Sequence, residues 1–120
     1  MTIRATVLVV EDEPLLRIAG ADMVEDAGFG VVEAANATEA VRILEARPDI
    51  TLVFSDIDMP GGLDGVRLAA IIRNRWPPIE IILVSGHGNP ETDDLPARTI
   101  FFPKPYREDE IVAAIRRLAA

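Results

Sequence analysis

The sequence predicts an α/β fold: a parallel sheet with helices packed on both faces. Three observations carry this. Short apolar runs recur at Thr6–Val10, Val31–Ala34, Thr51–Ser55, Glu80–Val84 and Thr99–Phe102. Continuous apolar runs of this length mark strands buried on both sides. Between most of them lie stretches with apolar residues at helical spacing, and strands alternating with helices build a parallel sheet. Several runs also end abruptly in polar residues, where open α/β sheets hold their ligands.

The elements follow in order. After the Thr6–Val10 strand, Pro14 sits where a first helical turn tolerates proline, with Glu13 before it. Leu16, Ala19, Met23 and Ala27 recur at helical spacing and are expected to face inward; Gly28 ends the helix. Leu15, Leu16 and Ile18 cannot all be buried. Asn36 and Glu39 form a capping box. The helix they open turns Ala40, Val41 and Leu44 inward and stops before Pro48. Asp64 caps a third helix with Val66, Leu68, Ala69 and Ile72 as its apolar residues, and Trp76-Pro77-Pro78 breaks it. Arg107–Leu118 is the last helix, with Ile111, Val112, Ile115 and Leu118 on one face. Asn89–Arg98 departs from the pattern. It holds Pro90 and Pro96, three acids and Leu95 as its sole large apolar residue, so no helix of more than about one turn is expected there, and the segment should be mobile.

A chain of 120 residues is one domain, long enough for a real core. The net charge of −8 argues against nucleic acid and anionic membrane as direct partners. With no cysteine there is neither a disulfide framework nor thiolate chemistry. No segment approaches the roughly 20 apolar residues of a membrane helix, and the opening apolar run is too short for a signal segment. A cytoplasmic location is the expectation.

The chemistry gathers at strand ends. Val7–Val10 runs into Glu11-Asp12, and Val53-Phe54-Ser55 runs into Asp56, with Asp58 two residues on. A carboxylate ending a central strand is costly to desolvate unless it is paired or metal-bound. Several carboxylates at one edge repel, so a cation must hold them ionised, and an oxygen-rich acidic site suits Mg²⁺. Lys104, between Pro103 and Pro105, has little freedom to be an ordinary surface lysine. Ser85, followed by Gly86, offers a hydroxyl and an open backbone amide to an oxyanion. Together they specify phosphoryl chemistry, with Asp56 as nucleophile and Lys104 and Ser85 taking the phosphoryl oxygens.

Strand one with Glu11-Asp12, Asp56 with Met59-Pro60 and Asp64-Gly65, Ser85-Gly86 and Lys104-Pro105 stand in one order along the chain. In this the sequence resembles the receiver domain of two-component response regulators, across essentially its whole length. The resemblance implies a flavodoxin-like doubly wound sheet of five parallel strands in order 2-1-3-4-5, here with the fourth helix short or missing. It implies that Asp56 accepts phosphate from a histidine kinase or histidine phosphotransfer protein. Asp12 and Asp56 would ligate Mg²⁺ directly, Glu11 through water, and Asp58 through its backbone carbonyl. Ser85 and Phe101 would report phosphorylation to the distal face, and Asp58 and His87 would influence the lifetime of the phosphate. A cis bond between Lys104 and Pro105 is also expected.

The sequence departs from the family pattern in places. Gly61-Gly62 stands where the usual loop has one residue, so Asp64-Gly65 is displaced by one. Phe101 carries no hydroxyl, and the Asn89–Arg98 segment falls where the family has its fourth helix.

The expected protein is therefore a stand-alone receiver over residues 1–120, not an enzyme, without an output domain. It would signal to a downstream protein by contact or by onward phosphotransfer. The alternatives are a receiver module cut from a larger hybrid kinase or regulator, and a haloacid-dehalogenase-like phosphatase using Asp56 and Asp58. Against the phosphatase, that family's Asp-x-Asp follows its first strand and works with a substrate cap.

Overall fold

The computed structural model describes residues 5–59, 64–86 and 95–119. Five strands, β1 (Thr6–Val10), β2 (Gly30–Ala34), β3 (Ile50–Asp56), β4 (Glu80–Ser85) and β5 (Thr99–Pro103), pair in parallel in the order β2-β1-β3-β4-β5. The four helices among the described residues are α1 (Pro14–Asp26), α2 (Ala37–Ala46), α3 (Gly65–Arg75) and α4 (Glu108–Ala119). The expected strands are all present. β3 and β4 run one residue further than expected, so Asp56 and Ser85 are the last paired residues of their strands.

Side chains alternate across the sheet. Leu8, Val10, Val53, Ile81 and Leu83 face α2 and α3, packing on Ala40, Leu44, Leu68 and Ile72. Val7, Val9, Leu52, Phe54, Ile82 and Val84 face α1 and α4, packing on Met23, Val24, Ile111 and Ile115. Most of these strand residues are fully buried, which is why β1, β3 and β4 read as unbroken apolar runs.

The helix starts form as their caps dictate. Glu13 accepts a hydrogen bond from the Leu16 amide (2.8 Å), Asn36 from that of Glu39 (2.8 Å) and Asp64 from that of Arg67 (2.9 Å). Gly28 follows α1 with φ of +100°, where a side chain would be strained.

The face of α1 differs from the expectation. Leu16 and Ala19 are exposed; Gly20, Ala21, Met23 and Val24 are buried. Gly20 decides this. A Cβ there would stand 3.4 Å from Val9 Cγ1, so the bare backbone lets α1 lie close on β1 and β3. Helical spacing alone allows either face, and the close approach selects the one rich in small residues. Leu15, Leu16 and Ile18 are consequently all exposed.

The expectation of a short or missing helix before β5 falls mostly on residues 87–94, outside the described residues. Leu95–Arg98 contains no helix: it is a bend and a turn leading into β5. The expected mobility of Asn89–Arg98 likewise falls mostly outside the described residues.

Candidate functional site

The chain runs outward from β1 to β2, then crosses over β1 to β3 and continues outward the other way to β4 and β5, so the direction of winding reverses between β1 and β3. The carboxyl ends of β1 and β3 therefore flank the crevice where such sheets bind ligands. Glu11 directly follows β1, and Asp56 ends β3. Both continue the alternation of Val9 and Phe54, on the α1 and α4 side. Carboxylate oxygens of Glu11, Asp12 and Asp56 all lie within 4.8 Å of one another.

Lys104 closes this cluster from the end of β5. Its Nζ stands 3.2 Å from Asp56 Oδ2 and 3.9 Å from Glu11 Oε1. Its backbone amide donates to the Ser85 carbonyl (2.8 Å), which ties the exit of β5 to the end of β4. The Lys104–Pro105 bond is cis, as expected. One ammonium thus serves buried carboxylates on two strands.

One cation does not satisfy three acids. Glu11 is 7% exposed, and its Oε2 is buried without a hydrogen-bond partner among the described residues. Burial first, then the charge of Asp56 and the contact with Asp12, push Glu11 up to about 7, against the pull of Lys104. A hard divalent cation relieves each of these costs, and an all-oxygen donor set fits Mg²⁺.

The far side of Asp56 is fixed by backbone. The Asp58 amide donates to Asp56 Oδ1 (3.2 Å), and the Gly65 amide to the Ile57 carbonyl (3.0 Å). Gly65 has no substitute here. A Cβ on it would overlap the Asp56 carbonyl oxygen and stand 2.8 Å from Ile57 Cα, both immovable backbone. This explains why glycine follows the capping Asp64 despite the lengthened loop.

A family model described as the response regulator receiver domain matches residues 7–116. The chain belongs to that family. A putative NtrX-like response regulator of Rickettsia felis is 35% identical over 115 residues, covering 92% of this chain and 24% of the relative. The sensor kinase CckA of Brucella abortus is 35% identical over 118 residues, covering 95% of this chain and 12% of the kinase. The receiver thus spans about a quarter or less of the length of these relatives. Among solved structures, a response regulator receiver protein from Sinorhizobium medicae superposes with a TM-score of 0.89 at 26% identity, covering 97% of this chain and 94% of that one. The response regulator TrrA of Thermotoga maritima, solved in complex with Mg²⁺ and BeF, gives 0.83 at 26% identity, covering 97% and 99%. Membership in the family, together with the position of Asp56 on the third strand, sets the phosphatase alternative aside.

Within the receiver, Glu11, Asp12, Asp56 and Lys104 meet as expected. Ser85 is buried at the end of β4, and its hydroxyl donates to Asp58 Oδ2 at 2.7 Å. Phe101 is half-buried against the α2–α3 side of the core. His87 lies outside the described residues.

Two contributors escaped the sequence reading. Arg17 donates from Nη1 to the Glu11 carbonyl (3.0 Å), and its Nε pairs with Glu33 at 3.4 Å, so it braces the loop after β1. The available signal was a cation early in α1 with Gly20 and Ala21, not acids, one turn on. Tyr106 packs edge-on to Phe54, with ring centroids 6.0 Å apart. Together with Pro105 it faces Leu16 and Gly20 across a cavity of about 450 Å³ beneath the carboxylates.

Proposed function

We propose that this receiver is a phosphorylation-dependent switch that takes a phosphoryl group on Asp56 from a phosphohistidine. The observation that carries the proposal is the Lys104–Asp56 pair at 3.2 Å inside a triad of mutually close carboxylates. No ordinary structural role calls for so many ionisable groups around one strand end, and perturbed acids of this kind cluster at functional sites.

Asp12 and Asp56 would hold Mg²⁺ directly, Glu11 through water, and Asp58 through its backbone carbonyl. When bound, the ion neutralises charge on the incoming phosphoryl group. An Asp56 carboxylate oxygen attacks phosphorus, and the P–N bond to the donor imidazole breaks, its electron pair leaving on nitrogen. Lys104 supports the charge on the transferring oxygens, and Ser85 then donates its hydroxyl to one of them. The protein's contribution is position and electrostatics. The domain is a phosphoacceptor that assists its own phosphorylation and dephosphorylation, not an enzyme acting on other substrates.

The donor must present its histidine at the rim formed by α1 and the β5–α4 loop. Leu15, Leu16 and Ile18 are 75%, 53% and 50% exposed there, and the cavity under Asp56 opens beside Leu16. A histidine kinase or histidine phosphotransfer protein with an apolar helix fits this rim. The relatives include both a regulator and a kinase several times longer than this chain, which supports reading the domain as a module of either kind of system. The downstream partner is a protein, reached by contact or by onward phosphotransfer. No helix among the described residues is long and apolar enough to cross a membrane.

Intact-mass spectrometry after incubation with acetyl phosphate and Mg²⁺ tests the proposal. One phosphoryl mass is expected on the native chain and none on Asp56→Asn, whose amide keeps the volume but is not a nucleophile. A variant that still gains the mass would place the acceptor elsewhere.

A further inference from the structure

Ser85 is 3% exposed, yet its hydroxyl proton goes to the carboxylate of an exposed residue: Asp58 Oδ2 accepts it at 2.7 Å. The two residues are 27 positions apart: Ser85 ends β4, and Asp58 lies two residues past the end of the adjacent β3. Asp58 also touches the acceptor itself, donating its backbone N–H to Asp56 Oδ1 at 3.2 Å. One residue therefore holds both the proposed acceptor carboxylate and the proposed reporter hydroxyl.

A serine hydroxyl has a single proton to donate. While Asp58 takes it, a phosphoryl oxygen on Asp56 cannot. A hydrogen bond to an ionised carboxylate is among the stronger kinds, so giving it up has a real cost. Once the phosphoryl group is present, the Asp58 carboxylate is also a like charge beside it.

We propose that the Asp58 carboxylate is a latch on Ser85, holding its hydroxyl in the unphosphorylated position and competing with the phosphoryl group for it. Asp58 is then a positioning residue that sets how completely phosphorylation engages Ser85. The inference rests on reading Asp56 as phosphoacceptor and Ser85 as the responding hydroxyl. It goes beyond that reading by assigning the resting partner of the hydroxyl to this chain's own side chain.

A double-mutant cycle separates the latch from simple charge repulsion. Beryllofluoride binding at saturating Mg²⁺ is measured by calorimetry for the native chain, Asp58→Ala, Ser85→Ala and the double variant. Alanine keeps the backbone carbonyl and amide of residue 58, so the contact to Asp56 Oδ1 survives. The latch predicts that Asp58→Ala tightens binding about tenfold when Ser85 is present. In the Ser85→Ala background the gain should shrink to about threefold or less, the remainder being the lost charge. Equal gains in both backgrounds overturn the latch. A second cycle on the metal-free protein, read by urea unfolding, should show the same two side chains coupled; additive losses there also overturn it. The underlying reading fails separately. If acetyl phosphate labels the native chain at Asp56 and the cycles are additive, the latch alone falls. If Asp56 takes no phosphoryl group, the phosphoacceptor reading falls, and the latch falls with it.

Discussion

Lys104 Nζ lies 3.2 Å from Asp56 Oδ2, across 48 residues of sequence. The lysine side chain is 29% exposed and the aspartate 8%, so the pair is screened on one side and buried on the other. Such a pair contributes little to net stability, because desolvation offsets most of the attraction. On the proposed function, its value lies in placing a positive charge where phosphoryl oxygens would develop negative charge.

Lys104→Met should therefore separate chemistry from stability. Labelling of Asp56 by acetyl phosphate should slow by about 100-fold, the usual cost of losing one such donor. The urea midpoint should change little by comparison. A labelling rate within about threefold of native would remove Lys104 from the proposed chemistry.

Glu11 makes the metal-free protein sensitive to pH. Its folded-state value of about 7 lies above the 4.5 of a free glutamate, so the native state binds the extra proton. Stability from this group is fully present below about 4.5 and is lost as pH rises through about 7. Without Mg²⁺ the protein should be less stable at pH 8 than at pH 5.5, by on the order of 1–3 kcal/mol from this group. Glu11→Gln should flatten the profile. Urea titrations at both pH values check it, and an identical slope in the variant would assign the dependence to another group.

Mg²⁺ should offset that loss. A ligand at about 100 times its Kd adds roughly 2.7 kcal/mol to the folded state. The gain should be larger at pH 8 than at pH 5.5, because the proton on Glu11 competes with the ion. Thermal melts against matched monovalent ionic strength measure it. An unchanged midpoint at saturating metal would mean that the carboxylates do not form an ion site.

Gly65→Ala should destabilise by about 1–3 kcal/mol even though alanine is the better helix former. The added methyl meets the backbone of Asp56 and Ile57, and relief requires α3 to move off the end of β3. Mg²⁺ affinity should fall with stability, since Asp56 moves too. Calorimetric titration of the variant checks this, and native affinity would show that the clash relaxes away from the site.

Arg73 offers a test remote from the site. It donates to the carbonyls of Ala97 (2.6 Å), Pro77 (2.6 Å) and Arg98 (3.3 Å), fastening the end of α3 to the lead-in of β5. Arg98 there has φ of 59°, unusual for a residue with a side chain. Arg73→Ala should cost about 1–2 kcal/mol and speed amide exchange at Ile81, which bonds the Arg98 carbonyl, before exchange elsewhere in β4.

Much of this receiver was legible along the chain. Strand interiors covered on both faces must be apolar throughout, so the strands appear as unbroken runs. Helix starts need side-chain acceptors for free amides, so Glu13, Asn36 and Asp64 mark them. The positions of Glu11, Asp12, Asp56, Ser85 and Lys104 were readable because each lies at or just past the end of an apolar run in the sequence. The order of the strands came from family resemblance and not from the residues themselves, because nothing local says which run pairs with which. Tertiary packing alone decided the rest. α1 has two faces of acceptable spacing, and the close contact of Gly20 with Val9 and Phe54 chose between them. The partner of the Ser85 hydroxyl is another such case, since Asp58 reaches it only once β3 and β4 lie side by side. Local sequence sets which groups need burial or a partner; which partner they find depends on contacts between residues far apart in the chain.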